Sequence, residues 1–434
     1  MIAPASAPDR ATRQKPFTIA ICGGGIAGLA LAIGLLRHGV PFHLYESAHA
    51  FAEVGAGVGF GPNALRAMSL IDPRVREGYS KRATGNAHGD KRRVYFDFLA
   101  GMDCGVGKAG KKVATVWAGD VGNSTVHRAQ FLDELVALVP GENVTFGKRV
   151  VEVEELEGRV RLHFADGGTA EASAAVGCDG VKSKLRHVVL GSDDGAAHPT
   201  FTGKYAYRGL IPMEKAVDLL GDELARNSIM WLGNHGHVLT FPIEQGATMN
   251  VVAIHTKRDG TWHDERWVFP VDRAQMQADF YAWGDSVSKI LSLMQHPDLW
   301  ALFDYPPAPT YCRGRTCLTG DAAHASTPHQ GAGAGMALED AFLLSSLLGA
   351  VRESSEIESA FCAFDKVRRP RTQRLVRTSR EAGELYDLEA VGVRDDRGRL
   401  EADLGSRFGW IWEESLEGEL VEALGLLGGR ARLV

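Results

Sequence analysis

Gly23-x-Gly25-x-x-Gly28 stands between an apolar run, Phe17 to Cys22, and a segment of helical periodicity, Ile26 to His38. In such a turn one glycine permits the tight bend and one lets a pyrophosphate approach the backbone. The third lets the helix pack on the strand. The start of the helix adds unpaired amide donors and the positive end of a dipole. Phe42 to Tyr45 reads as a second strand, and Glu46 closes it 18 residues after Gly28. An acid there accepts ribose hydroxyls and disfavours a 2′-phosphate, which suits FAD or NAD over NADP. The turn alone does not separate FAD from NAD.

Three further segments bear on that choice. Gly177-x-Asp179-Gly180-x-x-Ser183-x-x-Arg186 follows a strand. Gly320-Asp321-Ala322-Ala323-His324 also follows one, and continues into Pro328 and Gly331-x-Gly333-x-Gly335. His127-Arg128 precedes a helical stretch, Ala129 to Leu138. Each in isolation is ordinary turn chemistry. Together, in this order, they resemble the aromatic-ring hydroxylases, the single-component (class A) FAD-dependent monooxygenases of the para-hydroxybenzoate hydroxylase type. The resemblance spans about Phe17 to Arg371. Within that family, AYRGL (Ala206 to Leu210), GHVLTFP (Gly236 to Pro242), HASTPHQGAGAG (His324 to Gly335) and the tail segments GELYDL and GWIW look like the salicylate hydroxylases and their fungal phenol-hydroxylating relatives.

The resemblance implies roles. Glu46 would bind the adenosine ribose. Gly59, in the run EVGAGVGFGPNA, would lie beside the ribityl chain. Arg128 would contact the pyrophosphate or ribityl chain, and Asp321 the ribityl hydroxyls. Gly333 and Ala334 would offer amides to the pyrimidine edge of the flavin, where a helix start stabilises the negative charge of the reduced ring. Asp179 belongs to the segment shared between FAD and NAD(P)H in the family, with Cys178 where alanine is usual. No second glycine fingerprint is complete, since Gly55-x-Gly57-x-Gly59 lacks a clear preceding strand. This fits NADH or NADPH as a transient co-substrate.

For the substrate, Arg208 is read as an anion anchor, because a guanidinium pairs with a carboxylate or phenolate in a fixed fork. A structural ion pair is the alternative. Phe241 would line the ring pocket, where related fungal enzymes can carry Tyr; losing that hydroxyl favours a salicylate-like substrate. His329, beside Pro328, could take a phenolic proton, since histidine titrates near neutrality. His324 reads as structural. His235 and His237 have β spacing and no Cys or acid partners nearby, so no metal site is read there.

The expected activity is NAD(P)H- and dioxygen-dependent hydroxylation of a small phenolic aromatic, in first place salicylate to catechol with decarboxylation. Hydroxylation of another phenol or a fungal aromatic polyketide is the alternative, as is an FAD oxidase or dehydrogenase without oxygen transfer. A non-enzymatic FAD-binding regulator would share the same motifs.

These residues require an α/β fold. We expect a Rossmann-like FAD-binding domain over 17–198 and 306–370, with a substrate-facing insertion at about 76–120. A mainly antiparallel β-sheet substrate domain covers 199–305, from runs such as Tyr205 to Ile211 and Met249 to Ile254. A helical C-terminal segment covers 371–434. Residues 1–16, with Pro4, Pro8 and no apolar stretch, read as a disordered leader rather than a signal peptide. With 434 residues the chain can hold several such units. The net charge of −6 offers no field for nucleic acid or anionic lipid, and no apolar run reaches the roughly 20 residues of a membrane span. Six scattered cysteines without a C-x-x-C pair fit neither a zinc site nor a disulfide framework, so a cytoplasmic protein, monomer or homodimer, is expected.

Overall fold

Strands and helices alternate at the start of the chain, and that order forces parallel pairing, since a parallel neighbour needs a crossover. A computed structural model describes residues 15–51, 57–257, 259–393 and 396–430. β1 (Ile19–Cys22) leads through the glycine turn into helix α1 (Ile26–Arg37) and returns as β2 (Phe42–Tyr45). β1 lies centrally in a six-stranded sheet. On one side stand β2 and β8 (Val144–Thr145). On the other stand β12 (Ala174–Gly177), β20 (Thr316–Leu318) and β19 (Cys312–Arg313). All its pairs are parallel except the β19–β20 hairpin. A Cβ at Gly28 would overlap the Gly23 carbonyl oxygen, so only glycine lets α1 start this close to β1.

Two small antiparallel sheets flank this layer. One joins β9 (Val150–Leu156), β10 (Arg159–Phe164) and β11 (Thr169–Ala172); the other joins β3 (Gly57–Phe60), β4 (Thr84–Gly85) and β7 (Ser124–His127). Helix α1 is buried nearly all round, because α4 (Gly333–Ala350) packs on its other side. A Cβ at Gly34 would overlap the Ser345 side chain. Close approach of the two helices therefore depends on a missing side chain.

The second layer is an eight-stranded, mainly antiparallel sheet. Its order is β17 (Val268–Pro270), β18 (Asp298–Asp304), β13 (Thr200–Pro212), β16 (Thr248–Thr256), β15 (Gly236–Ile243), β14 (Ile229–Gly233), β5 (Val94–Ala100) and β6 (Lys112–Trp117). One pair, β14–β5, is parallel. The expected insertion at 76–120 thus supplies two strands of the substrate sheet. The run Val94 to Ala100 is buried on both faces, so it carries no alternation to announce an antiparallel strand.

The C-terminal boundary expected at 370/371 falls inside one helix, α5 (Ile357–Tyr386). Pro370 removes one amide from the ladder, but the helix is pinned on both sides of it. Arg368 pairs with Glu339 and Asp340 on α4, and Arg371 makes a two-pronged pair with Glu339. Further along, Arg374 lies over the Trp410 ring and Arg380 pairs with Asp304 on β18. Arg368, Arg371, Arg374 and Arg380, at helical spacing, thus tie the helix to its neighbours. Residues 1–14 of the expected leader lie outside the described residues. Lys15 donates from Nζ to the carbonyls of Gly349 and Val351, at the end of α4.

Candidate active site

One face of the eight-stranded sheet looks across a cavity at the glycine turn and the start of α4. Side chains alternate across a strand, so every second residue reaches it: Ala206 and Arg208 from β13, Val252 and Ile254 from β16, and Trp300 and Leu302 from β18. His237, Leu239 and Phe241 follow from β15, and Met230 from β14. Opposite them lie Gly25, Gly59, Arg128, Asp321, Gly333 and Ala334. The cavity holds about 450 Å³, and a side chamber of about 50 Å³ opens past Phe241 and His329 toward Tyr95, Phe96 and Phe408.

The cofactor side fits an extended dinucleotide. Gly25 has open space where a Cβ would stand, and α1 starts there without a side-chain cap, leaving its first amides free for an anion. Glu46 accepts from the Gly24 amide at 2.6 Å through one oxygen and from the Ala48 amide at 2.7 Å through the other. The carboxylate thus clamps the glycine turn as well as standing beside it. Helix α2 (Arg128–Val136) puts Arg128 at its first residue, at the end of β7. Asp321 begins α3 (Asp321–His324), exposed toward the cavity after Gly320, whose φ of 56° favours glycine. The first residues of α4, Gly333 and Ala334, also lack a side-chain cap. Free amides at two helix starts, a guanidinium and two acids along one groove are a donor and acceptor set that fits FAD.

Asp179 is differently placed. Its carboxylate accepts from Ser183 Oγ at 2.6 Å and from the Lys184 and Leu185 amides at 2.7 and 3.2 Å. Its neighbours Cys178 and Gly180 line the cavity instead. Arg186 completes this bracket: it donates to the carbonyls of Ala196, Ala322 and Ala323, and so holds α3 in place. Behind α3, Asp340 accepts from the Gly320 amide at 3.0 Å, pairs with His324 at 2.6 Å and meets Arg368 at 2.8 Å. Burial pushes the Asp340 carboxyl up, but His324 and Arg368 outweigh it and hold the pKa at about 2. His324 is thus a structural partner, as its sequence context suggested.

On the substrate side, the Arg208 Nε is buried without a hydrogen-bond partner, and the guanidinium lies 4.8 Å from the Trp300 ring centre. Asp298 stands opposite Arg208 in the β18 register, yet the two form no ion pair among the described residues. Burial, and then the nearby charge of Arg128, pull the Arg208 pKa down to about 10. An enclosed guanidinium N–H left without an acceptor is costly unless a ligand completes it. His329 is also buried, with both ring nitrogens unpaired. Burial, and then His237, push its pKa well below the usual range. A Cβ at Gly383 on α5 would overlap the His329 ring, so glycine there makes room for it.

The expectation that His235 and His237 lack acidic partners is overturned. His237 Nδ1 lies 2.6 Å from Asp387, and His235 Nδ1 lies 2.9 Å from Glu389. Both acids arrive from the end of α5, some 150 residues later in the chain, where no local signal points to the sheet. The only trace was the GELYDL segment, noted for its resemblance and given no partner. Among the described residues no helix is long and apolar enough to cross a membrane.

Comparison with known proteins agrees with this geometry. Residues 304–379 match the FAD binding domain family. The chain is 42% identical over 420 residues to 6-methylsalicylate 1-monooxygenase of Aspergillus terreus, covering 96% of this chain and 93% of that one. It is 40% identical to a salicylate hydroxylase of Pseudomonas putida, covering 94% and 95%. A solved salicylate hydroxylase substrate complex superposes with a TM-score of 0.85 at 38% identity, covering 95% of this chain and 98% of that one. The likeness runs along nearly the whole chain, and the protein belongs to the FAD-dependent class A aromatic hydroxylases, the monooxygenase family of the salicylate hydroxylases.

Proposed function

We propose that this monooxygenase acts on a salicylate-type aromatic acid, hydroxylating the carbon that bears the carboxylate and releasing carbon dioxide to give a catechol. The observation that carries the reading is Arg208: a half-buried guanidinium with its Nε enclosed and unpartnered and no carboxylate to answer it, facing an apolar cavity opposite the glycine turn. Phe241 at the ring wall supports it, since it offers no hydroxyl to a neutral polyphenol.

The amides of Gly333 and Ala334, Arg128, Glu46, Asp321 and the glycine turn of Gly23, Gly25 and Gly28 would hold FAD, with Gly59 and the Asp179-Gly180 segment alongside. Once bound and reduced by NADH or NADPH, FAD supplies activated dioxygen as an electrophilic oxygen donor. The chain's own work is to orient and to ionise. Arg208 pairs with the substrate anion and fixes the ring against Phe241, Met230 and Leu239. These apolar walls exclude water from the reacting edge. A cavity histidine, His237 or His329, takes the phenolic proton, which raises electron density at the ortho carbon. The overall balance is one salicylate, one NAD(P)H, one dioxygen and two protons giving catechol, carbon dioxide, water and NAD(P)⁺.

We place the enzyme in the cytoplasm, as a monomer or homodimer; six free cysteines support a reducing compartment. The test is a panel of aromatic acids and neutral phenols given to holoenzyme with labelled dioxygen. Label in a catechol from the acid is the expected result. Peroxide without labelled product would make the protein an oxidase, and turnover confined to neutral phenols would overturn the substrate class.

A further inference from the structure

The acids that meet His235 and His237 build a continuous polar path from the cavity to the surface. His237 is fully buried, and its Nδ1 faces Asp387 Oδ1 at 2.6 Å. Its Nε2 has no partner, and the residue lines the cavity. A carboxylate on Nδ1 keeps that nitrogen a donor and leaves Nε2 a bare acceptor. The other Asp387 oxygen accepts from Lys204 and from Thr256 Oγ1. Lys204 Nζ also donates to Glu389 Oε2 at 3.1 Å. Glu389 Oε1 then lies 2.9 Å from His235 Nδ1, and about half of the His235 side chain is in solvent.

The backbone is bent to make this path. His235 and Leu388 both adopt positive φ, 63° and 53°, where glycine is the easier residue. Leu388 turns the chain at the end of α5 so that Asp387 and Glu389 both reach the sheet. His235 sits in the β14–β15 turn, and its amide donates to the Asp387 carbonyl at 3.0 Å. Backbone strain of this kind concentrates at functional sites.

We propose that His237 accepts the phenolic proton of the substrate at Nε2, and that Asp387, Lys204, Glu389 and His235 relay a proton to solvent. This rests on the hydroxylase reading of the cavity. The phenol O–H bond breaks, an N–H bond forms at His237 Nε2, and the electron pair stays on the phenolate oxygen. In one concerted shift the Nδ1 proton moves to Asp387, Asp387 passes one to Lys204 as Lys204 gives one to Glu389, Glu389 passes one to His235 Nδ1, and His235 releases one to water. No group changes oxidation state. His329, whose ring centre is 5.2 Å from that of His237, has no acid of its own and serves as part of the ring wall. The ionisable groups around His237 are Tyr386 at the end of α5 and Asp387 just after it, Lys204 and Arg208 from β13, His329 from the turn after Pro328, and the outer pair Glu389 and His235.

The experiment uses FAD-loaded enzyme and a phenol that it turns over, whether salicylate or a neutral phenol, so failure of the substrate assignment leaves the measurement intact. Proton release on substrate binding is followed with a pH-indicator dye in weak buffer, beside the pH profile of kcat. Asp387→Asn should slow release and kcat by roughly a hundredfold, the scale of a lost proton transfer. His235→Ala and Glu389→Gln lie outside the cavity and test the relay where Asp387→Asn fails to fold. They should slow release with KM unchanged, and added imidazole should restore the His235→Ala rate. Wild-type release rates in both outer variants would overturn the relay. Normal release in His237→Gln, with loss in His329→Gln, would overturn His237 as the acceptor.

Discussion

The Arg208 guanidinium sits 4.8 Å from the centre of the Trp300 ring, and no carboxylate among the described residues answers its charge. The two residues lie on adjacent strands, where Ala206 is the direct partner of Trp300, so the arginine lies diagonally across the indole. The ring holds the charge in place without neutralising it, leaving the fork for a ligand.

Arg208→Ala should therefore bind FAD as wild type does while kcat/KM for an aromatic acid falls at least roughly 30-fold, about 2 kcal/mol. Arg208→Lys should recover part of this, since it keeps the charge and loses the fork. A salicylate-type acid should suffer more than a neutral phenol of equal size. Steady-state kinetics of both substrates on the three proteins decide it. The guanidinium is charged below its pKa, so affinity for the acid should weaken as pH climbs toward about 10.

Glu46 clamps the Gly24 and Ala48 amides and stands at the expected ribose site. Glu46→Ala should weaken FAD retention by roughly 1–3 kcal/mol, read by flavin release on dialysis and by titration. Unchanged affinity would remove the assignment. Gly28→Ala should do worse, because its Cβ meets the Gly23 carbonyl and distorts the turn itself.

Asp321 faces the cavity from the start of α3, with its side chain exposed there. Asp321→Ala should keep the melting temperature of the apoprotein and lose activity at limiting FAD. Full activity under that condition would show that another group holds the ribityl chain.

Asp340 carries an acid-stability prediction. Its pKa of about 2 in the folded chain lies below the ordinary carboxylate value of about 3.9. A depressed pKa stabilises the fold fully above the unfolded value, and the contribution fades as pH falls from about 4 toward 2. The size is roughly 2 kcal/mol. Thermal melts across that range should be steeper for wild type than for Asp340→Asn, which should also melt lower at neutral pH, since Arg368 loses a buried partner.

Local signals made much of this molecule readable. The alternation of Val150 to Leu156 and Arg159 to Phe164 around Gly158 announces a hairpin, and the structure forms it over those same residues. The glycine turn and the Gly320-Asp321 turn are likewise short-range features that reach one cavity through Gly25 and Asp321, and Glu46 clamps the first of them. The β5–β6 strands gave less warning, because a strand buried on both faces lacks a polar period. The boundary expected at 370/371 gave no sign that one helix crosses it; proline usually ends helices, and the salt bridges of Arg368 and Arg371 carry this one through Pro370. The pairing of His237 with Asp387 had no local signal at all. It depends on where a 30-residue helix ends in space.

That helix also works as a ruler. At 1.5 Å per residue, α5 is about 45 Å long. Its first half is bolted to the flavin-side helix by Arg368 and Arg371, and its last residue delivers Asp387 to the substrate wall. A hinge between the two layers would have to bend this rod. Phase matters as much as length. One residue inserted between Arg371 and Tyr386 would advance the far end by about 1.5 Å and turn it by about 100°. Asp387 would swing off His237 while every contact near the flavin stayed in register. Single-residue insertions and deletions in this stretch should therefore separate cofactor loading from turnover, with compensated pairs restoring both.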